Sequence, residues 1–322
     1  SINGNNHILD GNRQSGIFNI TRNNVTINNL VFINGNSTKG GAIYSTGQIT
    51  LNNVTFISNC AIDFVGSLRH PTSVTVNCGG AIANYGGVVN CNNTKFIDNY
   101  AESSSAIYLE NALLNLYNSF VTSSLPNKRG QIYTKNSDIN LYNVDFVNIS
   151  SVYACALYLE RLKNLTVINS RFVNLTANIT AGAIDVKSSG NVHIQGCEFI
   201  NTKSFKNAGA INVDYIDDAY NVTIQDTVFE NSSSMIGGAY IQLGGNLLLN
   251  NSSFINNRAV HDGGAAYLAF LPKCEINNCT FDSNVAEVFD DYEGYGGAVY
   301  SDYNSNLMIS HSRFLNNSAG KG

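Results

Sequence analysis

The chain has 322 residues, a net charge of −5 with 18 Lys and Arg, and a charged fraction of 13%. So few cations form no basic stripe, which argues against a nucleic-acid partner, and no apolar run approaches the ~20 residues of a membrane span. The seven Cys are odd in number, so at least one thiol stays unpaired.

The first twenty residues, opening "SINGNNHILDGN", are polar and irregular and read as an N-terminal cap or first coil. A repeating unit follows. Each unit has an alternating strand such as "VTINNLVF" or "ITLNNVTF" that ends on a Phe. The column runs Phe32, Phe56, Phe96, Phe120, Phe146, Phe172, Phe199, Phe229, Phe254, Phe281 and Phe314. An Asn turn follows, then Gly-Gly or Gly-Ala and a second strand: "GGAIYS" at Gly40–Ser45, "GGAVYS" at Gly296–Ser301. Most units span 24 to 30 residues.

A unit this short cannot bury its own apolar face, so it must stack on its neighbours. Period-2 alternation, no helical periodicity and only 3 Pro predict an all-β fold. The expected architecture is a single-stranded, right-handed parallel β-helix of about eleven coils, one domain over residues 1–322. Insertions fall near 61–77 and 286–295, and the closing "NNSAGKG" reads as a repeat cut short, whose open coil is a candidate for self-association.

The columns then acquire roles. Ile43, Ile82, Ile107, Ile132, Leu157, Ile184, Ile211 and Val299 point inward, as do Cys91 and Cys155. The Asn three residues before Phe, among them Asn29, Asn53, Asn93, Asn251 and Asn278, suits a turn in the left-handed region and an amide ladder. The residue after the inward Ile points outward: Tyr44, Tyr108, Tyr133, Tyr158, Tyr267 and Tyr300 form an aromatic strip that either stabilises neighbouring strands or meets sugar rings or a partner surface.

Other candidates are weaker in pattern. Asp290, Asp291 and Glu293 cluster in the second insertion as a calcium candidate without EF-hand spacing; no other cofactor is implied. Cys60 and Cys78 flank the first insertion and could close it as a disulfide. Asp185, Lys187 and Asp214 are the best grouping for a polysaccharide-active enzyme, but the regular repeats and scattered His favour a non-enzyme. Of the many Asn-X-Ser/Thr sequons, Asn36, Asn164, Asn174, Asn178, Asn221 and Asn231 are the glycosylation candidates, because they lie outside the expected amide ladder.

The opening "INGNNHILDGN" and the recurrent "GGAIY" and Phe–Asn units resemble the adhesin-like surface proteins of methanogenic archaea over essentially the whole chain. The same GGA and FxxN pattern is similar to the polymorphic outer-membrane autotransporter adhesins of chlamydiae. Either resemblance implies an extracellular, cell-surface β-solenoid. It would attach to host or neighbouring-cell glycans or proteins, or serve as a structural stalk or lattice component.

Overall fold

The computed structural model describes all residues but 22, 23, 63–76, 189, 290, 291, 305 and 322, and the backbone alone at Phe289 and Tyr292. Every described segment of regular structure is a strand. Among the described residues 32 strands form one sheet, in which each strand pairs in parallel with its equivalents in the neighbouring coils. Ile107–Glu110, for example, lies between Ile82–Tyr85 and Ile132–Lys135, with Ile107 against Ile82 and Ile132. This is the expected parallel β-solenoid.

Alternation decides which face is buried. In Ile49–Ile57 the residues Ile49, Leu51, Val54 and Phe56 are fully buried and their neighbours are not. Equivalent residues repeat once per coil, so each inward column becomes a continuous stack. Phe229 and Phe254 lie 4.5 Å apart and Phe172 and Phe199 4.6 Å apart, all nearly parallel. Burying each ring removes enough apolar surface to contribute about 2–3 kcal/mol.

Two columns differ from the sequence reading. Phe120 is half-buried on the outer side, and Val121 fills its rung between Phe96 and Phe146. The inward aliphatic column passes through Tyr240, which is fully buried against Ile211 on one coil and the small Ala266 on the next. Its hydroxyl donates to Gln242, which satisfies the one polar atom such a ring carries inside.

Corners are set by backbone conformation. The Asn before Phe sits in the left-handed region at every described coil where it occurs, from Asn29 (φ 51°) to Asn278 (φ 52°). Its amide also forms the expected ladder: Asn53 Nδ2 donates to Asn29 Oδ1 at 2.9 Å and Asn93 Nδ2 to Asn53 Oδ1 at 3.1 Å. A second, buried ladder follows Phe, with Asn257 donating to both Asn284 Oδ1 and the Phe229 carbonyl at 3.0 Å. The Gly-Gly corner needs both glycines. Gly40 has φ +64°, and a Cβ on Gly41 would lie 2.2 Å from the Gly80 carbonyl of the next coil.

The first strand, Ile2–Asp10, pairs with Val25–Ile33 and covers the buried Ile27 and Leu30. At the other end the same core columns are exposed at Leu307, Ile309 and Phe314. The insertion near 286–295 leaves the parallel stack as an antiparallel pair, Val288–Phe289 with Tyr292–Glu293. Most of the 61–77 insertion lies outside the described residues.

Candidate functional site

The outward tyrosines divide into two groups. Tyr44, Tyr108, Tyr133 and Tyr158 do leave the sheet on its outer side, but they do not form an exposed strip. Tyr108, Tyr133 and Tyr158 are only 4%, 0% and 8% exposed, and Tyr44 is half-buried beside them. The residues between one coil's Phe strand and the next coil's Gly corner supply the cover. Tyr153 packs on Tyr158 at 5.7 Å, and Arg129 lies over the Tyr133 and Tyr158 rings at 5.2 and 5.9 Å.

Tyr44, Tyr85, Tyr108, Tyr133 and Tyr158 run ring to ring at 5.3–5.8 Å, making a second, smaller core. Tyr108 Oη donates to Glu110 Oε2 and Tyr133 Oη to Glu160 Oε2, both at 2.8 Å, while Arg129 Nη1 donates to Tyr133 Oη at 3.1 Å. Burial above all, and then these carboxylates, push the phenols up: Tyr108 and Tyr133 far above the usual range, and Tyr158, with nearby Asp185 and Glu160, to about 12. The row is neutral and structural in its contacts. Tyr85, which extends it, went unnoticed in the sequence because Ala83 breaks the column there.

Tyr267 and Tyr300 behave differently. They are half-exposed and stacked at 5.2 Å. Beside them Phe270 and Tyr303 stack at 5.3 Å with an interplanar angle of 2°, both exposed to solvent. This pair was also missed. Its signal was an aromatic in a corner where earlier coils place Gly86, Asn111, Asn136, Arg161 and Ser188.

The Asp185 grouping is assembled but enclosed. Asp185 is fully buried; Asn212 Nδ2 donates to its Oδ1 at 2.8 Å, and Lys187 Nζ stands 3.7 Å away. Lys187 pairs more closely with Asp214 Oδ2, at 2.8 Å. Burial raises the Asp185 carboxyl, partly offset by Lys187. A polymer chain has no route to this carboxyl, so the geometry suits an internal ion pair between coils better than a general acid.

Cys60 and Cys78 are free thiols. The expected cross-link does not form because they occupy separate positions of one coil, Cys60 paired with Asn36 and Cys78 with Lys39. Cys78 Sγ instead lies 3.4 Å from Tyr85 Oη at the edge of the tyrosine row. Of the calcium candidates, Asp290 and Asp291 lie outside the described residues, and Glu293 forms an ion pair with Lys321.

The sequons also divide. Asn164, Asn174, Asn178, Asn221 and Asn231 are exposed. Asn36 is not: it is 7% exposed, and its Nδ2 donates to the Arg13 carbonyl at 3.2 Å. Asn174 also proves to belong to an amide ladder, on the corner after Phe, donating to Asn148 Oδ1 at 3.0 Å.

The repeat of the Chlamydia polymorphic membrane proteins matches residues 278–302. No curated protein matches the chain in sequence. The crystal structure of a surface adhesin of Streptococcus pneumoniae overlays 91% of this chain and 85% of its own, with a TM-score of 0.37 at 12% identity.

Proposed function

We propose that the chain is the rigid solenoid of a cell-surface adhesin, displayed outside the cell and attaching it to host or neighbouring-cell glycans or proteins. One observation carries this reading. The matched segment 278–302 covers most of one coil, which closes at Ser310, and several of its residues occupy columns that other coils repeat. Asn278 ladders onto Asn251, Phe281 stacks on Phe254, Asn284 bonds Asn257, and Tyr300 pairs with Tyr267. Internal repetition thus extends the likeness from one coil to the whole chain.

The finer placement, among the archaeal adhesin-like proteins, draws support from the exposed sequons, which suit a glycosylated surface. The test of the adhesin reading is direct. Beads coated with the full chain should attach to cells above the level of albumin-coated beads, with and without periodate treatment of the cell-surface glycans. Attachment lost on periodate treatment points to glycans, attachment retained points to protein, and no attachment to any cell type removes the reading.

A further inference from the structure

We propose that the corner carrying Tyr215, Phe270 and Tyr303 is a saccharide site, in which one pyranose ring of a neutral glycan seats in the rung left empty at Gly244. The proposal rests on the adhesin reading and narrows it to a place and a ligand class.

The first argument is local backbone chemistry. After each outward strand the chain turns through a residue in the left-handed region, as Gly86 (φ 79°), Asn111 (φ 53°), Asn136 (φ 50°), Arg161 (φ 51°) and Ser188 (φ 53°) do in earlier coils. Gly and Asn hold that conformation at little cost. Tyr215 (φ 49°), Phe270 (φ 62°) and Tyr303 (φ 50°) hold it with aromatic side chains, at a cost on the order of 1 kcal/mol each. Those side chains are 72%, 54% and 76% exposed, so burial does little to offset the strain. Only the stacking of Phe270 on Tyr303 offsets part of it, by roughly 0.5–1.5 kcal/mol.

The second argument is spacing. Leu243 pairs with Ala269, which sets Gly244 on the rung next to Phe270. One coil earlier the register shifts between Val213 and Ile216, so Asp214 and Tyr215 together face Leu243 and bulge outward. Ile216 is the residue opposite Gly244, so Tyr215 precedes that rung by one residue; counted in coils, Tyr215 and Phe270 stand two apart, roughly 10 Å at ~4.8 Å per coil. Ring centroids stack at about 4.5–7 Å, so the gap admits one ring. Position 244 adds no side chain there, because Gly244 has φ +77° and a Cβ would lie 2.5 Å from the Ile216 carbonyl.

The third argument is the rim. Tyr267 and Tyr300 lie next to the stacked pair, with Asp302 between them and Tyr303, and Asp217 and Asp218 follow Tyr215. Burial above all raises the Tyr267 phenol, with smaller contributions from Asp302 and, last, Tyr215. Pyranose rings offer an apolar C–H face to stacked aromatics and hydroxyls to such a rim. The carboxylates repel uronates and sialates, which selects a neutral glycan.

The test uses the full chain with cellohexaose, chitohexaose, mannohexaose, hexagalacturonate and choline chloride, read by saturation-transfer NMR and by titration. The variants are Phe270→Asn, Tyr303→Asn and Tyr215→Asn, since Asn holds this corner in other coils, with Tyr117→Ser as an exposed aromatic remote from the site. The expected result is transfer to ring C–H protons of a neutral hexasaccharide and about tenfold weaker binding in Phe270→Asn and Tyr215→Asn. Tm should be unchanged or raised, and Tyr117→Ser should bind like the parent. Absence of neutral-saccharide binding, undiminished binding in the Asn variants, or preference for hexagalacturonate or choline overturns the proposal. Bead attachment retained by Phe270→Asn would overturn the site and leave the adhesin reading standing, whereas beads carrying the parent chain that attach to nothing remove that reading itself.

Discussion

Tyr133 Oη donates to Glu160 Oε2 at 2.8 Å across one coil, and the ring that carries it has no solvent exposure. A residue that leaves a sheet on its outer side is here as buried as one inside it. Tyr133→Ala should therefore act on stability, costing about 3–5 kcal/mol through the cavity it leaves and the carboxylate it strands. Tyr133→Phe should cost about 1–3 kcal/mol, since packing survives. Hydrogen exchange of the amides of 107–110, 132–135 and 157–160 is the suitable readout, because stacked repeats need not unfold as one unit. Equal protection in Tyr133→Ala and the parent would show that the row contributes nothing.

The same row sets an alkaline limit. A phenol whose folded pKa is raised stabilises the fold fully below its ordinary value near 10 and loses that contribution as pH climbs through the folded value. Tyr158, pushed up to about 12, marks the lower end of this window. Tyrosinate absorbance should thus show a buried class, the phenols of the row, that appears only with unfolding above about pH 12. A single class titrating near pH 10 would contradict the burial.

How much of this was legible follows from what a repeat exposes. The coil length, the inward columns, the Gly-Gly corner and the Asn ladder each depend on residues a fixed distance apart, and repetition averages out the exceptions. Phe120 misled because its aromatic identity outweighed its register; Asn118, at φ 49° in the ladder column, marks the true alignment with Val121. The cover over Tyr108–Tyr158 comes from Arg129 and Tyr153, in turns outside any repeated column, so the direction of the tyrosines was legible and their burial was not. The exposed pair Phe270 and Tyr303 was hidden for the opposite reason. Its signal was a departure from a corner rule, and that rule emerges only once the corners are seen.

Asp185→Asn should raise stability at neutral pH. The folded carboxyl is raised by burial, so its contribution is greatest in acid, where both states are protonated, and falls as pH rises through the folded value. Asn carries no such penalty, and Asn212 already stands 2.8 Å away as an amide neighbour. Lys187 keeps Asp214 at 2.8 Å. The Tm difference between Asp185→Asn and the parent should therefore widen from pH 4 to pH 7. A variant less stable than the parent at pH 7 would show that the Lys187 attraction outweighs desolvation.

Asn257→Ala should be among the costliest polar substitutions. The Asn257 amide donates to the Phe229 carbonyl and to Asn284 Oδ1, and its own Oδ1 accepts the Ser232 amide at 2.9 Å. Ala leaves a buried carbonyl and a buried N–H unpaired, at about 1–3 kcal/mol each. Amide exchange at 229–232 and 254–257 should accelerate while the tyrosine row, coils away, keeps its protection. Acceleration throughout the stack would mean that the solenoid unfolds as one unit.

Glycan occupancy on protein from its native source should follow exposure and amide engagement. Asn36 should be unmodified, because a buried Nδ2 that donates to Arg13 cannot reach a transferase acting on the folded chain. Asn164 and Asn174 are exposed, but their Nδ2 atoms donate to Asp138 and Asn148, so they should be partly occupied. Asn178 and Asn221 lie on exposed backbone, and Asn221 meets its neighbour Asn246 through its Oδ1, which leaves the ladder bond intact when a sugar is attached at nitrogen. They should carry the highest occupancy by peptide mass spectrometry. Modification at Asn36 would show that transfer precedes folding. An unmodified chain would remove the support that the sequons lend to the archaeal placement and favour the chlamydial-type autotransporter reading, with the Asn content explained by ladders and corners.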